Sequence, residues 1–324
     1  MHRRLPRSFH VLAAVGLATA VGAGCDVKTR PNAEQISAAQ ATPLGYPHQF
    51  VVMGDSRTPG VAVFQALLGQ SAQLSPAPVF GLNVGDLVLT GLELEYNNYI
   101  DSLAGVPYPF ISGIGNHEQY APDGANLYQA AFGPEDFYFD YGPSRFIYLD
   151  NSNPDSYGLT SAQLAWLESV LDDPTHPDKY TFMHVPPTLP SGAIATSASQ
   201  GGVIPGDDVY SPNRAGVLSG IASFPGTAEL VNLLEAYQVR IAFFGHIHDF
   251  EHSYANGVHY VVTGGAGAEI GPIEDSPPNY GVFHHFLNVK IAADGASHVD
   301  VIKYGNGVVP SPEYGFDFST TPVP

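Results

Sequence analysis

Phe110-Ile111-Ser112-Gly113-Ile114-Gly115-Asn116-His117-Glu118 and Arg240-Ile241-Ala242-Phe243-Phe244-Gly245-His246-Ile247-His248 share one grammar. An apolar run ends in glycine, and polar side chains able to bind or move a cation follow. Three more stretches of the chain resemble them. Phe50–Met53 runs into Gly54-Asp55, Val79–Val84 into Gly85-Asp86, and Lys179–Met183 into His184. An apolar run of this length reads as a strand buried on both faces. In open α/β sheets the chemistry gathers outside the carboxyl ends of such strands. Five strand ends carrying Asp, Asp, Asn-His, His and His-x-His offer carboxylate, amide and imidazole ligands. That is a donor set for a two-metal site.

The blocks and their order resemble the calcineurin-like metallophosphoesterases, whose pattern is Asp-x-His, Gly-Asp, Gly-Asn-His-(Asp/Glu), a lone His, then Gly-His-x-His. The likeness runs from about Phe50 to Gly267, and four of the five blocks fit in order. Phe137–Gly142, Arg145–Asp150 and Gly245–Tyr254 are also similar to the purple-acid-phosphatase-like branch. The resemblance implies a four-layer α/β/β/α sandwich with two mixed sheets. It also implies hydrolysis of phosphate esters by a metal-activated hydroxide, with a monoester slightly favoured over a diester. Two ions are implied, among Mn, Fe, Zn and Ca, and ligand type alone does not choose between them.

Carried over by position, Asp55 binds the first ion and Asp86 bridges both. Asn116, His184 and His246 complete the second site, and His248 returns to the first. His117 serves the leaving group and Glu118 orients it. The first block departs from the family: where Asp-x-His is expected, the chain has Asp55-Ser56-Arg57. A guanidinium stays charged and offers no lone pair, so Arg57 is no ligand. The purple acid phosphatases also lack this His and use a Tyr three residues after the bridging Asp, where this chain has Leu89. Three readings of Arg57 stay open. Water could fill out a weakly held first ion, Arg57 could grip the substrate phosphate, or its charge could stand in for an absent first ion. His252, where the phosphatase branch often has Arg, is a candidate for the substrate cleft. His284-His285 and Gly264-Gly265-Ala266-Gly267 read as structural, since the glycines lack the Lys-Ser/Thr of a phosphate loop.

The formal net charge of −19 narrows the partners. Without Arg3, Arg4 and Arg7, 9 basic residues face 31 acidic ones, a balance of −22. Such a surface repels nucleic acid and anionic membrane. A small phosphorylated substrate then needs positive charge at its site, which metal ions supply. The three arginines and the apolar Val11–Gly24 read as a signal peptide over residues 1–24, too short to span a bilayer. Cys25, the single cysteine, follows as in a bacterial lipobox, although Gly22 stands where Leu is usual. The expectation is an exported protein, periplasmic or at the cell surface, touching membrane only through a lipid on Cys25.

Residues 25–45 read as a polar tether, 46–309 as the catalytic domain and 310–324 as a loose tail. Helices are expected over Val61–Gln70, over Ala162–Leu171 behind a Thr160/Gln163 capping box with Trp166 and Leu167 buried, and over Thr227–Tyr237. A hairpin is expected around Gly142-Pro143, and late antiparallel strands over Val258–Thr263, Phe286–Ile291 and His298–Lys303. Pro186–Gly226 carries no convincing element and reads as a lid or substrate wall. A rival from another class is a degenerate surface protein that binds phosphorylated ligands without turnover.

Overall fold

The computed structural model describes residues 27–57, 61–187, 226–271 and 275–322. Two sheets pack face to face. The first has six strands: β1 (His48–Met53), β2 (Gly81–Asn83), β3 (Phe110–Ser112), β12 (His285–Ile291), β13 (Ala296–Lys303) and β14 (Phe316–Ser319), ordered β14-β13-β12-β1-β2-β3. The second has eight, ordered β10-β11-β8-β9-β7-β6-β5-β4. These are β4 (Phe137–Tyr141), β5 (Ser144–Tyr148), β6 (Asp178–Phe182), β7 (Ile241–Phe244), β8 (Phe250–Ala255), β9 (Val258–Thr263), β10 (Asp275–Ser276) and β11 (Tyr280–Gly281). Both are mixed. β1, β2 and β3 run parallel, as do β5, β6, β7 and β9, while the outer strands pair antiparallel.

Alternation along the strands builds the layers. Phe50 and Val52 of β1 face the space between the sheets, where they meet Phe146, Tyr180, Phe182 and Phe243. Val51 and Met53 face outward, onto Phe64 and Leu67 of α2 (Val61–Ser71), Tyr96 and Tyr99 of α3 (Glu93–Ser102), and Tyr128 and Phe132 of α4 (Gly124–Phe132). On the far side Ile147, Ala242 and Phe244 bury Leu167 and Leu171 of α5 (Ser161–Leu171) with Leu230 and Leu234 of α6 (Thr227–Ala236). The result is the expected α/β/β/α sandwich. The inner layer is rich in aromatic rings: Phe146 alone lies 4.9–5.2 Å from Phe139, Phe50, Phe80 and Tyr180.

The capping box forms, with Gln163 N–H on Thr160 Oγ1 at 3.2 Å and Thr160 N–H on Gln163 Oε1 at 3.0 Å. Leu167 is buried behind it, whereas Trp166 is half-buried against the Tyr138 ring. The hairpin is β4–β5.

Two segment assignments need correction. The supposed tether carries α1 (Asn32–Gln40), which packs where β3 and β4 end the two sheets. Asn32 bonds the edge of β3 as another strand would: its amide donates to Ser112 O (2.8 Å) and its carbonyl accepts Ser112 N–H (2.9 Å). A sheet edge left with unpaired backbone groups needs such cover. The supposed tail contains β14, paired to β13, with Phe316 and Phe318 in the core. Beyond it, Thr321 N–H and Oγ1 donate to the Asp178 carboxylate. Arg3, Arg4, Arg7, Cys25 and all but Pro186, Pro187 and Gly226 of the 186–226 loop lie outside the described residues. Among the described residues no helix is long and apolar enough to cross a membrane.

Candidate metal centre

The five strand ends meet at the seam between the sheets. Asp55, Asp86, Asn116 and His117 come from the ends of β1, β2 and β3. His184, His246 and His248 come from β6 and β7. Asp86 Oδ1 lies 3.1 Å from His184 Nε2, Asp55 Oδ1 3.5 Å from His248 Nε2, and Asn116 Oδ1 2.9 Å from His246 Nδ1. Asp55, Asp86 and His184 offer ligand atoms that all lie within 4.8 Å of one another.

Tight backbone turns aim these groups. Asp55 (φ 59°), Asp86 (φ 56°) and His246 (φ 70°) all adopt the left-handed conformation, which costs non-glycine residues on the order of 1 kcal/mol or more each. Glycine precedes them because nothing larger fits. A Cβ on Gly115 would strike the Asp86 carboxylate, and one on Gly245 would lie 2.5 Å from Asp55 Oδ2. The Asp55 carboxylate also accepts His246 N–H at 3.0 Å, tying the first sheet to the second.

Hydrogen bonds set the histidine tautomers. His184 Nδ1 contacts Val84 O at 3.1 Å, His248 Nδ1 contacts Glu269 O and His117 Nδ1 contacts Leu89 O, both at 2.5 Å. A carbonyl only accepts, so each Nδ1 carries a proton and each ring turns Nε2 inward, where its neutral form offers a lone pair. Two acceptor pairs then face each other, His184 Nε2 with Asp86 Oδ1 and His248 Nε2 with Asp55 Oδ1. Asp86 Oδ2, His184 Nε2 and His248 Nε2 are buried without a hydrogen-bond partner. Buried acceptors facing one another need a cation between them. Carboxylates with carbonyl-anchored imidazoles are the donors that metal ions take, so the residues fit the ions.

The charges agree. Burial would push Asp86 up, but His184, His117 and Arg57 outweigh it and hold its carboxyl well below the usual range. Burial lifts Asp55 above it, with Asp86 adding to the rise. Burial would lower His184, but Asp86 overrides it and raises the imidazole to about 9. In the metal-free protein a proton therefore sits between His184 and Asp86, where a metal would displace it.

Arg57 enters this centre. Its Nε lies 3.6 Å from Asp86 Oδ2, and only 4% of its side chain is exposed. His117 Nε2 stands 3.7 Å from the same oxygen. Glu118 does something other than orient His117. Its carboxylate accepts N–H bonds from Asp86 (2.9 Å), Leu87 (2.7 Å), Val88 (3.0 Å) and Gly115 (2.6 Å), clamping the turns after β2 and β3 together. Burial, then the Asp86 charge, raise it to about 7. The Leu89 carbonyl and the Tyr120 ring, 4.5 Å away, hold His117.

His252 is not brought to the centre. It stacks on Phe316 (3.8 Å) and His259 (5.3 Å) along β8, and its Nε2 meets His259 Nδ1 at 3.0 Å. A strand with alternating faces sends it toward β14 once that strand forms. His285 is fully buried against Thr263 and Phe283 O, and His284 meets Gly265 O. Gly264–Gly267 packs under the site, with Ala266 N–H on Gly54 O and Ala268 N–H on Asp55 O.

Three contributors had escaped the sequence reading. Asn151 accepts His184 and Val185 N–H bonds and so fixes the His184 strand end. It follows β5 as the ligands follow their strands. Tyr120 and Tyr157 flank Asn116 and His246. Tyr120 falls four residues after Asn116, a spacing that would have marked it as a neighbour across one turn.

A family model described as calcineurin-like phosphoesterase matches residues 48–250. No curated protein matches the chain significantly. Among solved structures, the purple acid phosphatase from yellow lupin (Lupinus luteus) seeds is similar, with 19% identity and a TM-score of 0.60. That match covers 85% of this chain, which spans 54% of the lupin protein's length. GAP50, described as the anchor in the inner membrane complex of Plasmodium, is similar at 13% identity and TM-score 0.58, over 86% of this chain and 90% of its own. PhoD is similar at 10% identity and TM-score 0.53, over 84% and 68%. At these identities the likeness is one of fold.

Proposed function

The chain belongs to the calcineurin-like phosphoesterase family, and from that premise we propose an exported, metal-dependent phosphoesterase that prefers monoesters. The observation that carries this is the pair of buried acceptor contacts, His184 with Asp86 and His248 with Asp55. Asp86, Asn116, His184 and His246 would hold one ion. Asp55, His248 and the shared Asp86 would hold the other, with one protein ligand fewer. When bound, the ions supply an activated water and neutralise phosphate charge.

The chain's own residues do the rest. Glu118 fixes the backbone that presents Asp86 and Asn116. His117, whose Nδ1–H donates to Leu89 O, turns Nε2 to the site, and as the imidazolium it passes the Nε2 proton to the departing oxygen. Arg57 brings a permanent positive charge beside Asp86, suited to the extra negative charge of a monoester. That charge is the support for preferring a monoester. Export and an anchor at Cys25 rest on the basic and apolar leader. Changing Cys25 to Ala should release the protein from the membrane fraction.

Turnover of nitrophenyl phosphate against bis-nitrophenyl phosphate, with Mn(II), Zn(II), Fe or Ca(II), tests the activity. Faster release from the monoester is expected; faster release from the diester reverses the preference. Arg57 beside the oxygen a first ion would share favours one other reading, a phosphoester-binding protein without turnover. Tight binding of phosphate with no turnover under any metal would establish that reading instead.

A further inference from the structure

We infer that Asn151 is a positioning residue: the turn that presents His184 to the centre is wound around its side-chain amide, and the affinity for the tighter ion depends on it. The inference rests on the metal-binding reading above. In an extended strand successive N–H groups point to opposite edges. Those of His184 and Val185 instead converge on one atom, Asn151 Oδ1, at 3.2 and 3.0 Å. The chain therefore leaves β6 at His184, and the oxygen fills the hollow that the two N–H groups make. Neither has another acceptor among the described residues. Pro186 and Pro187 follow without N–H groups, so no later ladder bond takes over.

The orientation of the amide is fixed by groups that cannot exchange roles. Asn151 Nδ2 donates to Val185 O at 2.6 Å, and a carbonyl only accepts. Turned over, the amide would set oxygen against that carbonyl and NH2 against two N–H groups. Its mount is held too. The β5–β6 ladder closes with Leu149 N–H on Phe182 O, and Asn151 O then accepts Gly158 N–H at 2.9 Å. Past the ladder, this one side chain does for the end of β6 what a neighbouring strand would have done. Asn151, His184 and Val185 are all buried, so bulk water cannot replace a lost partner. On its other side His184 is held through Gly245 N–H on its carbonyl, and its ring through Val84 O. Val84 O sets the tilt of the imidazole; Asn151 sets the backbone from which it hangs.

The test is Mn(II) binding by calorimetry to the full folded chain of wild type, Asn151→Ala, Asn151→Ser and Asp178→Ala. Asn151→Ala should weaken the tighter ion about 10–100-fold, the range seen when a group supporting a ligand is lost, and leave the weaker ion nearly unchanged. Asn151→Ser keeps an oxygen on a shorter side chain and should fall between. Asp178→Ala strips Thr321 N–H of its acceptor at the opposite end of β6. It should lower the melting temperature yet leave both affinities near wild type. Wild-type affinity in Asn151→Ala, or in Asn151→Ser where the alanine variant does not fold, overturns the role of Asn151 and leaves the metal reading intact. So does an equal loss at both ions, or a loss matched by Asp178→Ala, since either marks general loosening. A wild-type chain that binds no Mn(II) overturns the metal reading itself, and this inference with it.

Discussion

At Asp55 a single side chain sets folding against function. Its carboxylate is buried and raised, in a left-handed backbone position, beside a second carboxylate. Asp55→Asn removes the buried charge and keeps an oxygen for His246 N–H. The metal-free protein should gain stability, seen as a higher melting temperature, while the rise on adding metal shrinks. An unchanged metal-dependent rise would exclude Asp55 as a ligand. His117 behaves differently because it meets the leaving group. His117→Ala should lose about 10²–10⁴-fold on an alkyl phosphate and much less on nitrophenyl phosphate, whose anion leaves without a proton. Equal losses on both substrates would assign His117 another role. The candidate ligands were legible in the sequence through their order along the chain, since Gly-Asp at a strand end is by itself often a turn and His184 has no glycine before it. The distant partners of Glu118 were not, because Asp86, Leu87 and Val88 offer it backbone N–H groups from 30–32 residues away, which carry no sequence signature.

Among the elements, the ones with strong local signals were legible, such as the capped helix α5 and the strands β9, β12 and β13. α1 and β14 were misread because each depends on distant partners. Asn32–Gln40 has little apolar periodicity and is held by one asparagine on the β3 edge and by Ala39 in the core. β14 spans only Phe316–Ser319, and its alternation of Phe316 and Phe318 is too short to stand out beside Gly and Pro. Both carry stability. Asn32→Ala takes the partner from the buried Ser112 N–H, while Ser112 O keeps the Tyr128 hydroxyl, and should cost about 1–3 kcal/mol in urea unfolding. A cost near zero would return residues 27–45 to the role of a tether.

Across the whole molecule, acid should loosen the fold through histidines that lie away from the metal ligands. Burial, helped by His259, pushes His252 down to about 3, and burial pushes His285 down to about 4. Unfolded, both return to about 6.5. Between those values the unfolded chain binds protons that the native chain does not. Stability therefore rises with pH in that window and is lost as pH falls from 6.5. The slope is up to about 1.4 kcal/mol per pH unit for each histidine. Urea midpoints taken from pH 7 to pH 5 should fall, and His252→Phe should flatten the fall by about one proton; an unchanged slope would place the acid sensitivity elsewhere. The sandwich itself was legible through the family resemblance that the order of the motifs carries; the apolar runs alone pointed only to buried strands. The measurement that bears most directly on the centre at that seam is equilibrium dialysis against Mn(II) of wild type, His184→Ala and His248→Ala. Two ions per wild-type chain are predicted, the weaker lost in His248→Ala and the tighter in His184→Ala. A wild-type chain that takes up no ion, or uptake indifferent to both substitutions, would contradict it.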